Sequence, residues 1–180
     1  MHIVNPRSQA IERTLAFKGH SNLFMAGDGR FAIGRGADRK RDPLHVIARI
    51  SAFDVTTEQI VDSIDVPDVY ISKYFINPES TKLYLTVSSS GSPEQQGNLK
   101  TDVLMVFDLT ALPRINLIAE IRVGEIGSVA FVPVASGNSL VCCSDAKASA
   151  LVVIDGDSDA VLERIAVPGE ASHSRVWAMS

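Results

Sequence analysis

A polar residue that ends a short apolar strand and opens a turn recurs along this chain at nearly regular intervals. Its four copies are Asn5, Asp54, Asp108 and Asp155. The steps between them are 49, 54 and 47 residues. Periods of this size, built from short strands, indicate one supersecondary unit per repeat, with each unit packed on its neighbours. This repeat constrains the fold more than any other feature of the sequence.

Each copy predicts four strands, because an apolar strand and its turn are followed by a returning strand and then by two more. Asp28-Gly29 predicts a hairpin within one copy, since Gly tolerates the positive φ of such turns. Short helical turns at residues 11–17 and 161–165 are the alternative, but β-branched residues and frequent breakers disfavour them. The pattern therefore predicts an all-β chain, a β-propeller of four-stranded antiparallel blades.

The phase of the repeat predicts a single domain with about three complete and two partial blades. The half blade covers residues 3–17, the complete blades 21–66, 69–121 and 128–167, and the opening strand of a further blade 172–180. Propellers leave only short, protected sheet edges, so an incomplete ring exposes apolar surface. We therefore expect the remainder of a ring, a protein partner or a second copy of the chain to cover it.

Composition excludes several functions and leaves the compartment open. The net charge of -4 disfavours general nucleic-acid binding, which normally shows a basic surplus. No apolar run reaches the roughly 18 residues of a membrane span, and residues 1–6 lack the features of a signal peptide. Cys142 and Cys143 are adjacent on a predicted strand, where side chains diverge, so we expect two free thiols.

Two polar insertions between second and third strands predict a binding surface on one rim of the ring. They are residues 34–43 and 88–100, and function concentrates on loops of this kind. The candidate binding residues are Arg35, Arg39, Lys40, Arg41, His45 and Lys100. Arg binds carboxylates and phosphates, while Asp38 and Asp42 partly neutralise the basic group, which favours a mixed-charge protein contact. The alternative is a solvated run of surface charge.

No residue cluster predicts catalysis or metal binding. His20, His45 and His173 fall near the same rim, but at irregular offsets and without a carboxylate at matched spacing. Ser172-His173 lacks a Gly-x-Ser-x-Gly nucleophile elbow. The repeated turn aspartates are predicted to be structural because they repeat. We therefore expect no catalytic residue, cofactor or metal in this chain, and whether it forms part of an enzyme stays open.

Several segments resemble the YVTN-type propellers of the quinoprotein amine dehydrogenase-like superfamily. The resemblance lies in residues 27–31, in 77–85, and in 152–155 together with 161–169. Residues 100–108, followed by Leu112-Pro113, resemble a blade of the large subunits of amine dehydrogenases, which also carry a polar insertion before that strand.

This resemblance implies a seven-bladed ring, often outside the cytoplasm, hence a periplasmic or extracellular location. It implies a scaffold or binding module whose loop-rich rim meets a protein partner or a small ligand. The alternative is a non-cofactor propeller subunit of an amine dehydrogenase-like periplasmic oxidoreductase, whose separate small subunit carries the quinone. Trp177 is the only Trp, so a quinone-forming Trp pair is missing from this sequence. A sugar-lactone hydrolase of the related seven-bladed type would need acidic metal ligands in the channel, and the sequence indicates none.

Overall fold

The fold is described by a computed structural model for residues 2–17, 19–26, 29–38, 46–89, 102–135 and 139–168. These residues form fourteen strands and no helix, so none of them forms a helix able to span a membrane. The strands are β1 (His2–Val4), β2 (Ile11–Thr14), β3 (His20–Ala26), β4 (Phe31–Asp38), β5 (Ile47–Asp54), β6 (Gln59–Pro67), β7 (Val69–Ile76), β8 (Lys82–Ser89), β9 (Val103–Asp108), β10 (Asn116–Arg122), β11 (Ile126–Pro133), β12 (Ser139–Asp145), β13 (Ala150–Asp155) and β14 (Val161–Ala166).

The strands form four antiparallel sheets in which each strand pairs with its neighbour in sequence. Sheet 1 is β1-β2, sheet 2 is β3-β4-β5-β6, sheet 3 is β7-β8-β9-β10 and sheet 4 is β11-β12-β13-β14. Four-stranded antiparallel meanders of this kind are the blades of a β-propeller. The predicted all-β fold with four-stranded blades is therefore confirmed. The opening strand predicted at residues 172–180 lies outside the described residues.

Strand alternation places sheet 3 between two apolar cores. On β8, Leu83 and Leu85 pack against sheet 2, whereas Tyr84 between them packs against sheet 4. On β9, Met105 packs against sheet 2 and Val106 packs against sheet 4. Successive strand residues point to opposite faces, so a continuous apolar run is needed where both faces are covered. A third core joins sheets 1 and 2.

The turn aspartates of the repeat accept backbone hydrogen bonds, as the sequence predicts. Asp54 Oδ1 accepts the backbone N–H groups of Thr56 and Thr57 at 2.8 and 3.1 Å. Asp155 Oδ1 accepts those of Asp157 and Ser158 at 3.1 and 2.7 Å. The same role falls to Asn5 and Asp108 in their own turns. Polar side chains of this kind hold turns by binding the backbone two residues on.

Three of these turns share a second feature, a residue with positive φ four positions after the capping residue. Gln9, Glu58 and Asp159 have φ values of 56°, 60° and 58°. In each turn the N–H of this residue donates to the carbonyl of the capping residue, at 2.8, 2.8 and 3.0 Å. The match in backbone conformation shows that the sequence repeat is also a repeat of turn geometry.

Basic side chains of one sheet donate to backbone carbonyls of a neighbouring sheet. Arg13 binds the Val55 carbonyl at 2.7 Å, Arg35 that of Ile71 at 2.6 Å, Lys73 that of Gly127 at 2.7 Å and Arg164 that of Val123 at 2.8 Å. These contacts join sheet 1 to sheet 2, sheet 2 to sheet 3, and sheet 3 to sheet 4. The interfaces between sheets therefore combine apolar packing with charge-assisted hydrogen bonds.

The structure corrects the start of the first predicted insertion. Residues 34–38 belong to β4 and pair with Ile47–Ser51 of β5. The Gly34-x-Gly36 spacing, which indicates a loop in sequence, instead removes side chains from one face of a strand. A Cβ on Gly34 would lie 2.5 Å from Phe17 Cε1, and one on Gly36 would lie 2.8 Å from the Gly19 carbonyl oxygen and 3.3 Å from His20 Cδ2. Glycine is used here so that an aromatic ring and a neighbouring backbone segment can lie against the strand.

A polar cavity at the predicted rim

A cavity of about 340 Å³ lies between sheets 2 and 3, where their first strands begin. Its wall includes His20 at the start of β3, Arg35 near the end of β4 and Tyr70 at the start of β7. Ala48 and Val69 supply buried apolar surface. A concave site with an apolar wall and a few converging polar groups is typical of ligand or side-chain recognition.

His20 is held in one orientation by a chain of hydroxyl groups. Its Nε2 lies 2.7 Å from Ser51 Oγ, and Ser51 Oγ lies 2.7 Å from Ser63 Oγ. Phe17 meets the imidazole edge-on, with 4.8 Å between ring centroids. Ser51 is fully buried, so it positions His20 and is not a nucleophile open to a substrate. The half-buried imidazole is thus a preorganised polar group in the cavity wall.

Arg35 is fixed by the neighbouring sheet. Its guanidinium donates to the Ile71 carbonyl at 2.6 Å and lies 5.8 Å from the ring centroid of Tyr74. Tyr74 in turn stacks on Phe24, with the ring centroids 4.8 Å apart. A cation held over an aromatic ring and against a carbonyl loses little further freedom when it meets an anion.

A second and larger cavity of about 770 Å³ is lined by both acidic and basic side chains. It lies between sheets 3 and 4, at the start of β11, and its wall includes Asp102, Glu125, Asp145 and Lys147. Two of its carboxylates are ion-paired, Asp102 with Arg122 at 3.2 Å and Asp145 with Arg164 at 3.9 Å. The Asp145 carboxylate accepts the backbone N–H groups of Glu125 and Ala148 at 3.2 and 3.1 Å. Within the described ranges, no group of three His, Cys, Asp or Glu side chains is arranged to hold a metal ion. The two cavities therefore place both basic and acidic groups along the edge of the sheets at which their first strands begin.

Of the six predicted rim residues, the structure places Arg35 in the wall of the first cavity. Arg39, Lys40, Arg41, His45 and Lys100 lie outside the described residues, so their positions remain predictions. His20 comes to the rim, as its position before a first strand predicts. Sequence reasoning missed Tyr70 and Ser51. Tyr70 follows the Pro67-Asp68 break, which marks the start of a first strand, but nothing in the local sequence shows that Ser51 lies beside His20.

Comparison with solved structures supports the same fold. The β-propeller domain of Cps50 (Swd1) from Myceliophteria thermophila matches with a TM-score of 0.53 at 12% identity, over 83% of this chain and 41% of that chain. Hydrazine synthase from Kuenenia stuttgartiensis matches with a TM-score of 0.60 at 8% identity, over 92% of this chain and 55% of that chain. The chain thus spans about half, or less, of these two chains.

These likenesses show a β-propeller fold, which agrees with the three four-stranded meanders described above. No protein-family model and no curated protein matches the sequence. The narrower resemblance to YVTN-type and quinoprotein amine dehydrogenase-like propellers therefore remains a prediction.

Proposed function

We propose that this chain is a propeller scaffold whose rim binds a protein partner through a contact of mixed charge. The observation that carries the proposal is the pair of polar cavities on neighbouring sheet interfaces, which differ in their charged groups. The first presents Arg35 and His20, and the second presents Glu125 and Lys147 beside the ion-paired carboxylates of Asp102 and Asp145. A partner with acidic and basic side chains at matching spacing complements both, whereas a uniformly charged polymer complements only one.

The arrangement of the rim residues favours binding of a partner over catalysis. The groups of the first cavity are held by Ser51, Ile71 and Tyr74, so they meet a partner with little loss of conformational entropy. Charges at the edge of such a contact steer association and set its dependence on salt. The basic residues Arg39 and Arg41 follow β4 in sequence, and we assign them to this steering role.

Selection of peptide binders followed by charge reversal tests the proposal. Peptides selected by phage display on the intact chain should carry acidic groups, and their affinity should fall as salt rises. The double variant Arg39→Glu/Arg41→Glu should bind them more weakly with an unchanged melting temperature. Arg7→Glu/Arg114→Glu is the matched control, because these exposed arginines lie in the turns between β1 and β2 and between β9 and β10, away from the rim.

Two results count against this function. Equal loss of binding in both double variants would show a general effect of net charge. A large fall in melting temperature for the 39/41 variant would show that this segment is structural, because exposed substitutions usually change stability by less than about 0.5 kcal/mol.

The second candidate is a non-cofactor propeller subunit of an amine dehydrogenase-like periplasmic oxidoreductase. It is favoured by the resemblance of residues 100–108, which include the buried strand β9 of sheet 3. A complex of that kind contains a quinone or haem centre in another subunit and absorbs visible light. A visible spectrum of the complex isolated from its native source distinguishes the two functions.

A further inference from the structure

A third polar cavity, a cleft, also lies between sheets 3 and 4, but on the edge opposite the rim. It encloses about 210 Å³ between the turn that precedes β8 and the turn that follows β13. Glu79 and Asp157 are exposed at its mouth, and Lys82 and Tyr84 form part of its wall. None of these residues belongs to the cavities of the rim, so the cleft is a separate feature of the molecule.

Lys82 is satisfied within the chain. Its ammonium group donates to the carbonyls of Gly156 and Asp157 at 2.8 and 2.9 Å and to Asp159 Oδ2 at 2.8 Å. An ammonium has three donors, and these three acceptors account for all of them. The positive charge therefore holds the two sheets together and offers no remaining hydrogen bond to a ligand.

Two buried polar atoms beside Lys82 have no partner among the described residues. They are the Tyr84 hydroxyl and Asp159 Oδ1. Tyr84 is completely buried, and the Asp159 side chain is only 10% exposed. Buried polar atoms without a hydrogen bond are rare in folded proteins, because each such atom loses its contacts with water. Tyr84 belongs to the wall of the cleft, so its hydroxyl indicates a group that is bound from outside the chain.

The required partner is defined by charge and protonation. Burial, followed by the nearby carboxylate of Asp159, raises the pKa of Tyr84 well above its usual value of 10.0, so its hydroxyl stays protonated and can donate. Asp159 Oδ1 can only accept. Glu79, Asp157 and Asp159 repel an anion, and a cation at Asp159 would lie beside the Lys82 ammonium. A neutral hydroxyl group can accept from Tyr84 and donate to a carboxylate at the mouth of the cleft, Glu79 or Asp157, without either conflict.

The size of the cleft favours a ligand larger than one water molecule. A single water needs roughly 10–15 Å³ of such space, far less than the 210 Å³ present here. We propose that this cleft binds a small neutral polyhydroxyl compound, a polyol or the end of a sugar, with one hydroxyl group accepting from Tyr84. Asn77, Thr81 and Ser139 line the same cleft with further polar side chains.

Ligand-detected NMR with the intact chain tests this site, with glycerol, erythritol and glucose as neutral probes. Ethylammonium and acetate serve as charged probes of similar size. At least one neutral probe should bind more tightly than both charged probes. Tyr84→Phe should weaken its binding about fivefold, the effect of one net hydrogen bond. The variant should keep its melting temperature without ligand, because the hydroxyl has no partner within the chain.

Tyr74→Phe is the matched control, since Tyr74 stacks on Phe24 and does not line this cleft. A second readout is the spectrum of wild-type chain labelled with ¹³C-tyrosine, which contains three tyrosines. The neutral probe should shift the signal of Tyr84 and leave those of Tyr70 and Tyr74. The proposal is overturned if no neutral probe binds, if ethylammonium binds best, if the tyrosine signals shift alike, or if a crystal soaked in polyol holds only water in the cleft.

Discussion

The carboxylates that close the repeat are held in their charged form by the turns they cap. Hydrogen bonds from the backbone and side chain of Ser158 lower the pKa of Asp155 below its usual 3.8, although burial acts in the opposite direction. Burial raises the pKa of Asp54, but hydrogen bonds from Thr57, Arg30 and Thr56 outweigh it and lower the net value. Each turn therefore stabilises the ionised aspartate, and the ionised aspartate stabilises the turn.

Asp155→Ala should lower the urea midpoint of unfolding at neutral pH, because Asp157 and Ser158 lose their acceptor. Asp155→Asn is the control, since its amide oxygen still accepts these bonds. A depressed folded-state pKa gives stability that is present above the unfolded pKa and is lost as pH falls through the folded one. The difference between wild type and Asp155→Ala should therefore shrink below about pH 3.8. A difference independent of pH would contradict this account.

At the scale of the strands, periodicity predicts that a segment is a strand more reliably than it predicts where that strand ends. The buried strands β5, β8 and β9 appear in the sequence as apolar runs, because both faces are covered. The sequence predicts an end of β4 that is too early, because Gly34 and Gly36 indicate a loop. The role of these glycines depends on Phe17, which is far away in sequence. The candidate site was also predictable only in part. Arg35 and His20 could be assigned to the rim from their place in the repeat, whereas the partnership of His20 with Ser51 depends on the pairing of strands.

The glycine after Asp155 is predicted to be required by a backbone contact between strands. A Cβ on Gly156 would overlap the Ser139 carbonyl oxygen, which cannot move without displacing β12 from β13. Gly156→Ala should lower the free energy of unfolding by about 1–3 kcal/mol, as overpacking typically does. Gly127→Ala is the control, because its Cβ would meet the Ser144 hydroxyl at 2.9 Å and a side chain can turn aside. Equal losses in urea unfolding would refute the backbone contact as the cause.

At the scale of the molecule, the described sheets differ in how their faces are covered. Sheets 2 and 3 each pack against apolar cores on both faces, whereas sheet 4 contributes to one core only. On its outer strand Leu162 is 58% exposed and Ile165 is 41% exposed. Apolar surface of this kind is normally covered by a partner or drives association.

We expect the isolated chain to form dimers or larger species at low micromolar concentration, as measured by light scattering after size exclusion. Leu162→Lys/Ile165→Lys should increase the monomer fraction, because two charges oppose burial of this outer strand. The control is Ile118→Lys, which changes an exposed residue on the outer strand of sheet 3. A wild-type monomer of 19.4 kDa that melts in one sharp transition would contradict this expectation and favour a compact closed ring.

Modularity follows from the way in which the sheets are joined. Arg13, Arg35, Lys73 and Arg164 all donate to main-chain carbonyls of a neighbouring sheet. Every residue type supplies a carbonyl, so the receiving strand keeps its role in the joint whatever side chains it carries. A unit built in this way can be duplicated, and its copies can diverge, while these hydrogen bonds need no matched change in the adjacent unit; only the apolar cores between the sheets must still fit. That freedom offers a physical reason why this architecture is shared with propellers at only 8% and 12% sequence identity.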